Sequence, residues 1–386
     1  MAKVSRLAAA AAAVLCTFAA AQSGCYAADV RIYGTVNTGI YYSNPEHANG
    51  TLRMAGIGET PVDSAFHIEA REALTGSTYV GVNLGNTFAA DTGAMANSGV
   101  LFDASRLFVG NDKVEFAVGR IGGFTVATEP YSLYIRLSAN MTGMQLAGIA
   151  PANITYRPTH PTNAFAFQTK GRGFFVQGLY SNGDYDQGVD EETEFDWSDR
   201  MHALQLAAGW DGESLKAGLV YSMEMPKNHK YEARHEPMQS LHFLGSYDFG
   251  GPAVAWVLFA GTNVWRLGAA DDIGAAVGAM SDGRAAYAWS EEGLDVGALV
   301  LSARYPVGRH QFAASMGYMH GKWQGEENAR GADEGSVSQM GVTYRYFLSK
   351  RANWYAAASY SNGSRLFKNT ARFNQYIATT GLCVNF

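Results

Sequence analysis

The sequence predicts an all-β chain that closes into a transmembrane, antiparallel up-and-down barrel, and three observations predict it. An export signal opens the chain, apolar and polar residues then alternate with period two over about sixteen segments, and no later apolar run is long enough for a spanning helix. The 386 residues include 44 glycines, 12% aromatic and only 17% charged side chains, a composition suited to strands and tight turns.

Lys3 and Arg6 precede an apolar run from Leu7 to about Ala21, and small residues follow up to Ala27. This order predicts a secretory signal peptide over 1–27 and leaves 28–386 as one barrel domain. A membrane anchor needs about 20 apolar residues; this run is shorter and ends at Gln22-Ser23-Gly24. The full chain has 29 basic and 35 acidic side chains. Loss of Lys3 and Arg6 leaves 27 basic against 35 acidic, a net of −8, which argues against nucleic acid as a partner. Of three cysteines only Cys383 lies beyond the signal, so a mature chain has no internal disulfide.

In the first segment Val30, Ile32, Val36, Ile40 and Tyr42 share one parity, and Arg31, Thr35, Asn37 and Tyr41 the other. Leu215, Ala217, Leu219, Tyr221 and Met223 likewise oppose Lys216, Gly218, Ser222 and Glu224. Met340, Val342, Tyr344 and Tyr346 oppose Gln339, Thr343 and Arg345. Such segments place strands near 29–43, 63–72, 77–84, 104–110, 113–122, 152–158, 172–181 and 200–210. Eight more lie near 213–224, 238–249, 252–263, 293–305, 309–322, 335–348, 352–361 and 374–386. Sixteen is even, as closure with both termini on one side requires.

Short turns at Asn111-Asp112, Asp211-Gly212, Gly250-Gly251 and Lys350-Arg351 alternate with long polar loops such as 182–199, 264–292 and 322–334. The short turns are expected on the periplasmic side and the long loops outside. Aromatic residues gather near strand ends, at Tyr41, Tyr42, Tyr247, Phe249, Tyr344, Tyr346, Trp354, Tyr355 and Phe386, as interfacial girdles require. A soluble sandwich also alternates, but it gives no reason for so many strands with aromatic ends.

Several segments resemble the Gram-negative general diffusion porins, especially the betaproteobacterial type, along nearly the whole mature chain. VRIYGTVNTGIYY is similar to that family's first strand, SAFHIEAREALTGSTYVGVNLGNTFAADTGA to its second hairpin, and SRLFVGNDKVEFAVGRIGGF to the next. YRYFLSKRANWYAAASY matches a family hairpin, and TTGLCVNF ends on the aromatic that resembles the outer-membrane assembly signal. The resemblance implies a sixteen-stranded barrel of the outer membrane, bathed in its lipid and assembled as a homotrimer, with the third loop folded into the lumen. It also implies passive diffusion of small hydrophilic solutes and ions. Where family members carry an Arg after the third loop this chain has Thr155, with Arg157 next on the same parity. An acidic third loop facing a basic wall is the family expectation; here that loop offers one acid, Glu129, together with Arg136.

A pore needs no catalytic group and no cofactor; it needs water-facing charges at its narrowest part. Parity puts His67, Glu69 and Arg71, then Arg157 and Arg345, on the polar face. Arg120 shares the parity of Phe116 and Val118, but Gly119, Gly122 and Gly123 permit a break that turns it inward. The candidate constriction is therefore Arg71, Arg120 and Arg157 on the wall with Glu129 and Arg136 on the loop. The stretch with Asp184 and Asp186 lacks the spacing of a calcium loop and reads as a solvated external loop. No Gly-x-Ser-x-Gly, His-Glu-x-x-His or phosphate-loop motif occurs, so no enzyme is expected. A non-specific channel, a channel with a solute-binding site and a closed structural barrel all remain compatible with these residues.

Overall fold

The computed structural model describes residues 29–46, 49–95, 101–125, 131–142, 154–155, 161–182, 202–225, 236–265, 267, 272–286 and 290–386. The strands are β1 (Asp29–Pro45), β2 (Thr51–Met54), β3 (Ser64–Ala73), β4 (Tyr79–Phe88), β5 (Ala104–Gly110), β6 (Val114–Arg120), β7 (Ala164–Thr169), β8 (Gly173–Asn182) and β9 (His202–Asp211). They continue as β10 (Leu215–Met225), β11 (Met238–Asp248), β12 (Ala253–Val264), β13 (Leu294–Val307), β14 (His310–Trp323), β15 (Glu334–Phe347), β16 (Ala352–Arg365) and β17 (Gln375–Asn385). Two short helices, α1 (Leu133–Thr142) and α2 (Asp272–Val277), lie in loops. Among the described residues no helix is long and apolar enough to cross a membrane.

Every barrel strand pairs antiparallel with its sequence neighbour, and β17 pairs with β1 from Thr35↔Asn385 to Pro45↔Gln375, which closes the ring. The closed barrel has sixteen strands, because β2 is a short extra strand riding on β1 rather than a stave. β1 bonds to β3 over Asp29–Thr35 and to β2 over Ile40–Ser43. Between them Ser64 bridges the handover: the Asn37 amide donates to its Oγ at 2.9 Å, and that hydroxyl donates to the Asn37 carbonyl at 2.9 Å. Closure leaves no open sheet edge, the condition for a β-structure in hydrocarbon.

The expected sixth strand at 152–158 is a correction. Ile154 and Thr155 lie in a turn, and the stave is β7 at Ala164–Thr169, beyond the expected segment. Pro151, Pro158 and Pro161 crowd the predicted segment and cannot donate to a ladder, whereas Phe165 and Phe167 alternate cleanly with buried Ala164 and Ala166. The short turns form as expected. Gly250 and Gly251 have φ of +89° and +145°, and the Asp248 carboxylate accepts both their amides at 2.8 and 2.9 Å.

Burial alternates residue by residue; in β14 every even position is exposed and every odd one buried. The exposed set is apolar, including Phe116, Leu219, Leu299, Met316, Met340, Val342 and Leu382. A soluble protein would not expose so wide an apolar surface; a barrel presents it to lipid. The fourteen residues of β14 rise about 46 Å along the strand, or about 33 Å across the bilayer at ~45° tilt, enough for the hydrocarbon layer. Trp354, Tyr247, Phe249 and Phe386 face outward at the strand ends, but Tyr41 and Tyr355 are 7% and 1% exposed and face inward, since each sits one residue off the girdle parity.

The inner wall is not uniform. On β10–β14 it is largely apolar, with Val220, Leu244, Val257, Phe259, Val300 and Met319 buried in one cluster with residues of the third loop. On β15–β17 and β1 it carries Gln339, Thr343, Tyr355, Thr379 and Asn37 instead.

Candidate functional site

Glu115 is the centre of the polar wall. Its side chain is 8% exposed, and it accepts from Tyr79 OH at 2.7 Å, Arg106 NH1 at 3.1 Å, and Tyr131 OH and Gln168 Nε2 at 3.3 Å. Lys170 Nζ stands 3.6 Å from the same carboxylate and donates to Tyr79 OH at 2.7 Å. The Arg71 guanidinium lies over the Tyr79 ring, its Cζ 3.4 Å from the ring centre. Five consecutive staves, β3 to β7, supply most of these groups, so the register sets the geometry: Tyr79 pairs with Gly110, and Gly110 with Glu115. Gly110 is what lets the phenol cross, since a Cβ there would stand 2.7 Å from Tyr79 OH.

A second knot ties the third loop to this wall. Arg136, on α1, holds Asp211 at 3.1 Å through Nε and donates to the Thr169 and Gly171 carbonyls at 3.1 and 2.9 Å. Lys216 closes it, 3.0 Å from Asp211 and donating to the Arg136 carbonyl at 3.2 Å. Ser246 donates to the Leu137 carbonyl at 2.5 Å, and Ile154 reaches Gly317 on β14, where a Cβ would stand 2.9 Å from its Cδ1. Burial, reinforced by the Glu115 carboxylate, pushes the Tyr131 phenol above its ordinary range, so it stays a donor.

These two knots join five cations, Arg71, Arg106, Arg136, Lys170 and Lys216, to two carboxylates, Glu115 and Asp211. Among the described residues the loop brings a cation, Arg136, while the wall carries both carboxylates together with the other four cations. Beside them on the lumen parity Arg31 pairs with Asp29, Arg304 with Asp248 at 3.6 Å, and Glu69 meets Asn83 at 3.5 Å.

Of the expected site residues, Arg71 falls in the first knot and Arg136 in the second. Arg120 stands opposite Ser105 and donates from Nε to the Asp103 carbonyl at 2.9 Å, just after Gly119 at φ +133°. Arg157 and Glu129 lie outside the described residues, as do the signal segment 1–27 and the acidic stretch from 183 to 200. Sequence reasoning missed Arg106 and Glu115, although both sit on the parity opposite Leu107, Phe116 and Val118 and were legible as lumen charges. Lys216 was read on the polar parity but not as a site residue, and Lys170 and Asp211 flank turns, where nothing in a sequence separates a lumenal charge from a solvated one.

Residues 8–366 match the model of a family described as Gram-negative porin. Among solved structures the chain is similar to an anion-selective porin from Comamonas acidovorans, with 16% identity, 93% of this chain and 100% of that one covered, and a TM-score of 0.65. It is also similar to in-vitro folded OmpT, an outer membrane protein of Vibrio cholerae (12% identity, 94% and 99% covered, TM-score 0.56). A variant of the Rh. blastica porin follows at 12% identity, 93% and 100% covered, and TM-score 0.51. At such identities these likenesses speak for the fold. No curated protein sequence matches the chain.

Proposed function

The chain belongs to the Gram-negative porin family and is an outer-membrane channel for passive diffusion, and from that premise we propose that its lumen favours anions and is narrowed by the third loop. The observation that carries the proposal is the excess of five cations over two carboxylates where Tyr131 and Arg136 meet the wall. Fixed positive charge in a narrow, partly dry passage raises the local concentration of anions and repels cations, whatever the net charge of the whole chain. The contacts of Arg136, Leu137 and Ile154 with β9, β10, β11 and β14 support a loop that crosses the lumen. The anion-selective name of the Comamonas acidovorans porin agrees with this sign.

Within this reading Arg71 and Arg136 line the constriction, with Arg106, Lys170 and Lys216 added to them. Arg120 fastens the start of the loop to the Asp103 carbonyl. Arg157 and Glu129 are proposed to contribute from the rest of the loop. Cleavage after Ala27, a homotrimeric assembly and the lack of any enzymatic step complete the proposal; the family and fold are those of non-enzymatic channels.

The test is the zero-current potential of the purified channel in planar bilayers under a potassium chloride gradient. The sign expected is that of chloride preference. A unit charge acting at ~8 Å through water is worth about 0.5 kcal/mol, so Arg71→Ala and Arg136→Ala should each lower the chloride-to-potassium permeability ratio about twofold. A cation-selective wild type refutes the proposal.

A further inference from the structure

The outward face of the barrel is not an even apolar surface. From β12 to β17 one row of small side chains crosses the staves: Val254 stands beside Ala303, Ala303 beside Ala314, and Val342, Ala358 and Ala378 follow in register. The next outward row toward the short turns is bulky, with Tyr305, Phe312 and Tyr344 side by side. The next row the other way holds Leu301, Met316, Met340 and Tyr360. Small residues between two raised banks make a groove, and two hollows along it, of about 770 Å³ each, share Val254, Ala303, Ala314, Val342 and Ala358. The bank nearer the turns is held in place: the Phe312 and Trp354 rings stand 5.3 and 5.7 Å from that of Tyr344, whose hydroxyl lies 2.7 Å from His310 Nδ1.

The banks lie about 14 Å apart along the strand, and the staves from β12 to β17 make the groove about 24 Å long. Strands slanted at ~45° slant the groove equally, so it descends about 17 Å, close to one leaflet's ~15 Å of hydrocarbon. Beyond the aromatic bank, two neighbouring turns carry Arg309, Lys350 and Arg351, all exposed. The Phe347 amide donates to the Arg309 carbonyl at 2.8 Å and ties these turns side by side. No acidic side chain occurs in 296–325 or in 335–386. Asp248, on the turn next to them, is already taken up by the Gly250 and Gly251 amides and by Arg304. Short turns mark the periplasmic end of such a barrel, so these cations stand at the level of the periplasmic headgroups.

We infer that this face is a docking groove for an anionic phospholipid of the periplasmic leaflet, with an acyl chain lying along the alanine row and the phosphate held by Arg309, Lys350 and Arg351. A chain seated between two banks touches protein on three sides instead of one and gains dispersion contacts. A phosphate oxygen beside guanidinium and ammonium groups gains charge-assisted hydrogen bonds. A zwitterionic headgroup brings its own ammonium to the same cations and gains less. Docking here depends on the outer-membrane placement and not on the charge of the lumen.

The test is native mass spectrometry of the full-length, exported channel, extracted in detergent and equilibrated with equal concentrations of phosphatidylglycerol and phosphatidylcholine of the same chain length. Wild type should retain phosphatidylglycerol about fivefold better or more, the worth of one cation engaged by the phosphate. The combined variant Arg309→Ala, Lys350→Ala, Arg351→Ala should lose that preference. Ala314→Leu with Ala358→Leu fills the groove and should lower retention of both lipids. Heat-modifiable gel migration verifies that each variant is a closed barrel; if the double leucine variant is not, Ala358→Leu alone decides. Equal retention of the two lipids by wild type overturns lipid docking, as does a preference that survives loss of the three cations or retention unchanged by the filled groove. Loss of an oligomer instead of lipid on filling the groove also overturns it and makes the face a contact between copies of the chain. The zero-current potential of the same preparations reads anion preference separately, since either can fail alone.

Discussion

Replacing Glu115 by Gln tests whether the wall cluster is one coupled unit. The change keeps the volume and one acceptor oxygen but removes the charge that Arg106 meets at 3.1 Å, with only 5% and 8% of the two side chains exposed. At that separation and an effective dielectric of ~20 the attraction is about 5 kcal/mol before desolvation is counted. Most of that attraction offsets the cost of drying the two ions; removing one partner strands the other, which costs about 3–5 kcal/mol when nothing replaces it. The amide oxygen still accepts one hydrogen bond, so a loss of about 2–4 kcal/mol is expected for Glu115→Gln. The assay is urea unfolding of the detergent-solubilised barrel followed by far-ultraviolet circular dichroism, run as a double-mutant cycle with Arg106→Met. A coupling energy of about 2 kcal/mol is expected, as for residues in one buried network. The same variant removes one of two carboxylates, so its zero-current potential should move further toward chloride, by about twofold in permeability ratio. Wild-type stability together with a coupling below ~0.5 kcal/mol would refute the claim that Tyr79, Arg106, Tyr131 and Lys170 depend on this carboxylate.

Two further outcomes follow from the same geometry. Met316 is 59% exposed on the lipid parity, so Met316→Arg should destabilise the barrel by about 2–4 kcal/mol, whereas Ser315→Arg, one residue away and inward, should fold and raise chloride preference; equal effects on refolding yield would show that the parity has been misassigned. Gly110→Ala puts a Cβ 2.6 Å from the Val114 carbonyl oxygen and 2.7 Å from Tyr79 OH, so it should cost about 1–3 kcal/mol and disturb the same potential as Glu115→Gln; an unperturbed Gly110→Ala channel would mean that Tyr79 does not cross there.

The alternation that reads so plainly in QMGVTYRYFL is a direct physical consequence of one face meeting lipid and the other meeting water, and it placed β15 within a residue of its observed limits. It failed at 152–158 because a short alternating run bracketed by prolines satisfies the pattern without being able to join a ladder. The site was legible to the extent that strand parity carries it: Arg71 and Arg345 were readable as inward, and Arg106 and Glu115 could have been. Arg120 shows the other limit, since a glycine with positive φ can redirect a side chain and no count of parity says whether it does.

Period and turn chemistry are local properties, and they by themselves determined that this chain is a closed β-barrel of sixteen staves. Which charges meet is not local. Arg136 reaches Asp211 across 75 residues, and Tyr79 and Lys170, 91 apart, converge near Glu115 only because the ring closes and the third loop returns to the wall. Only the tertiary structure could therefore decide that the loop brings a cation to acids on the wall. Pairing energies depend on separation in space, which the order of residues leaves open until register and closure set it.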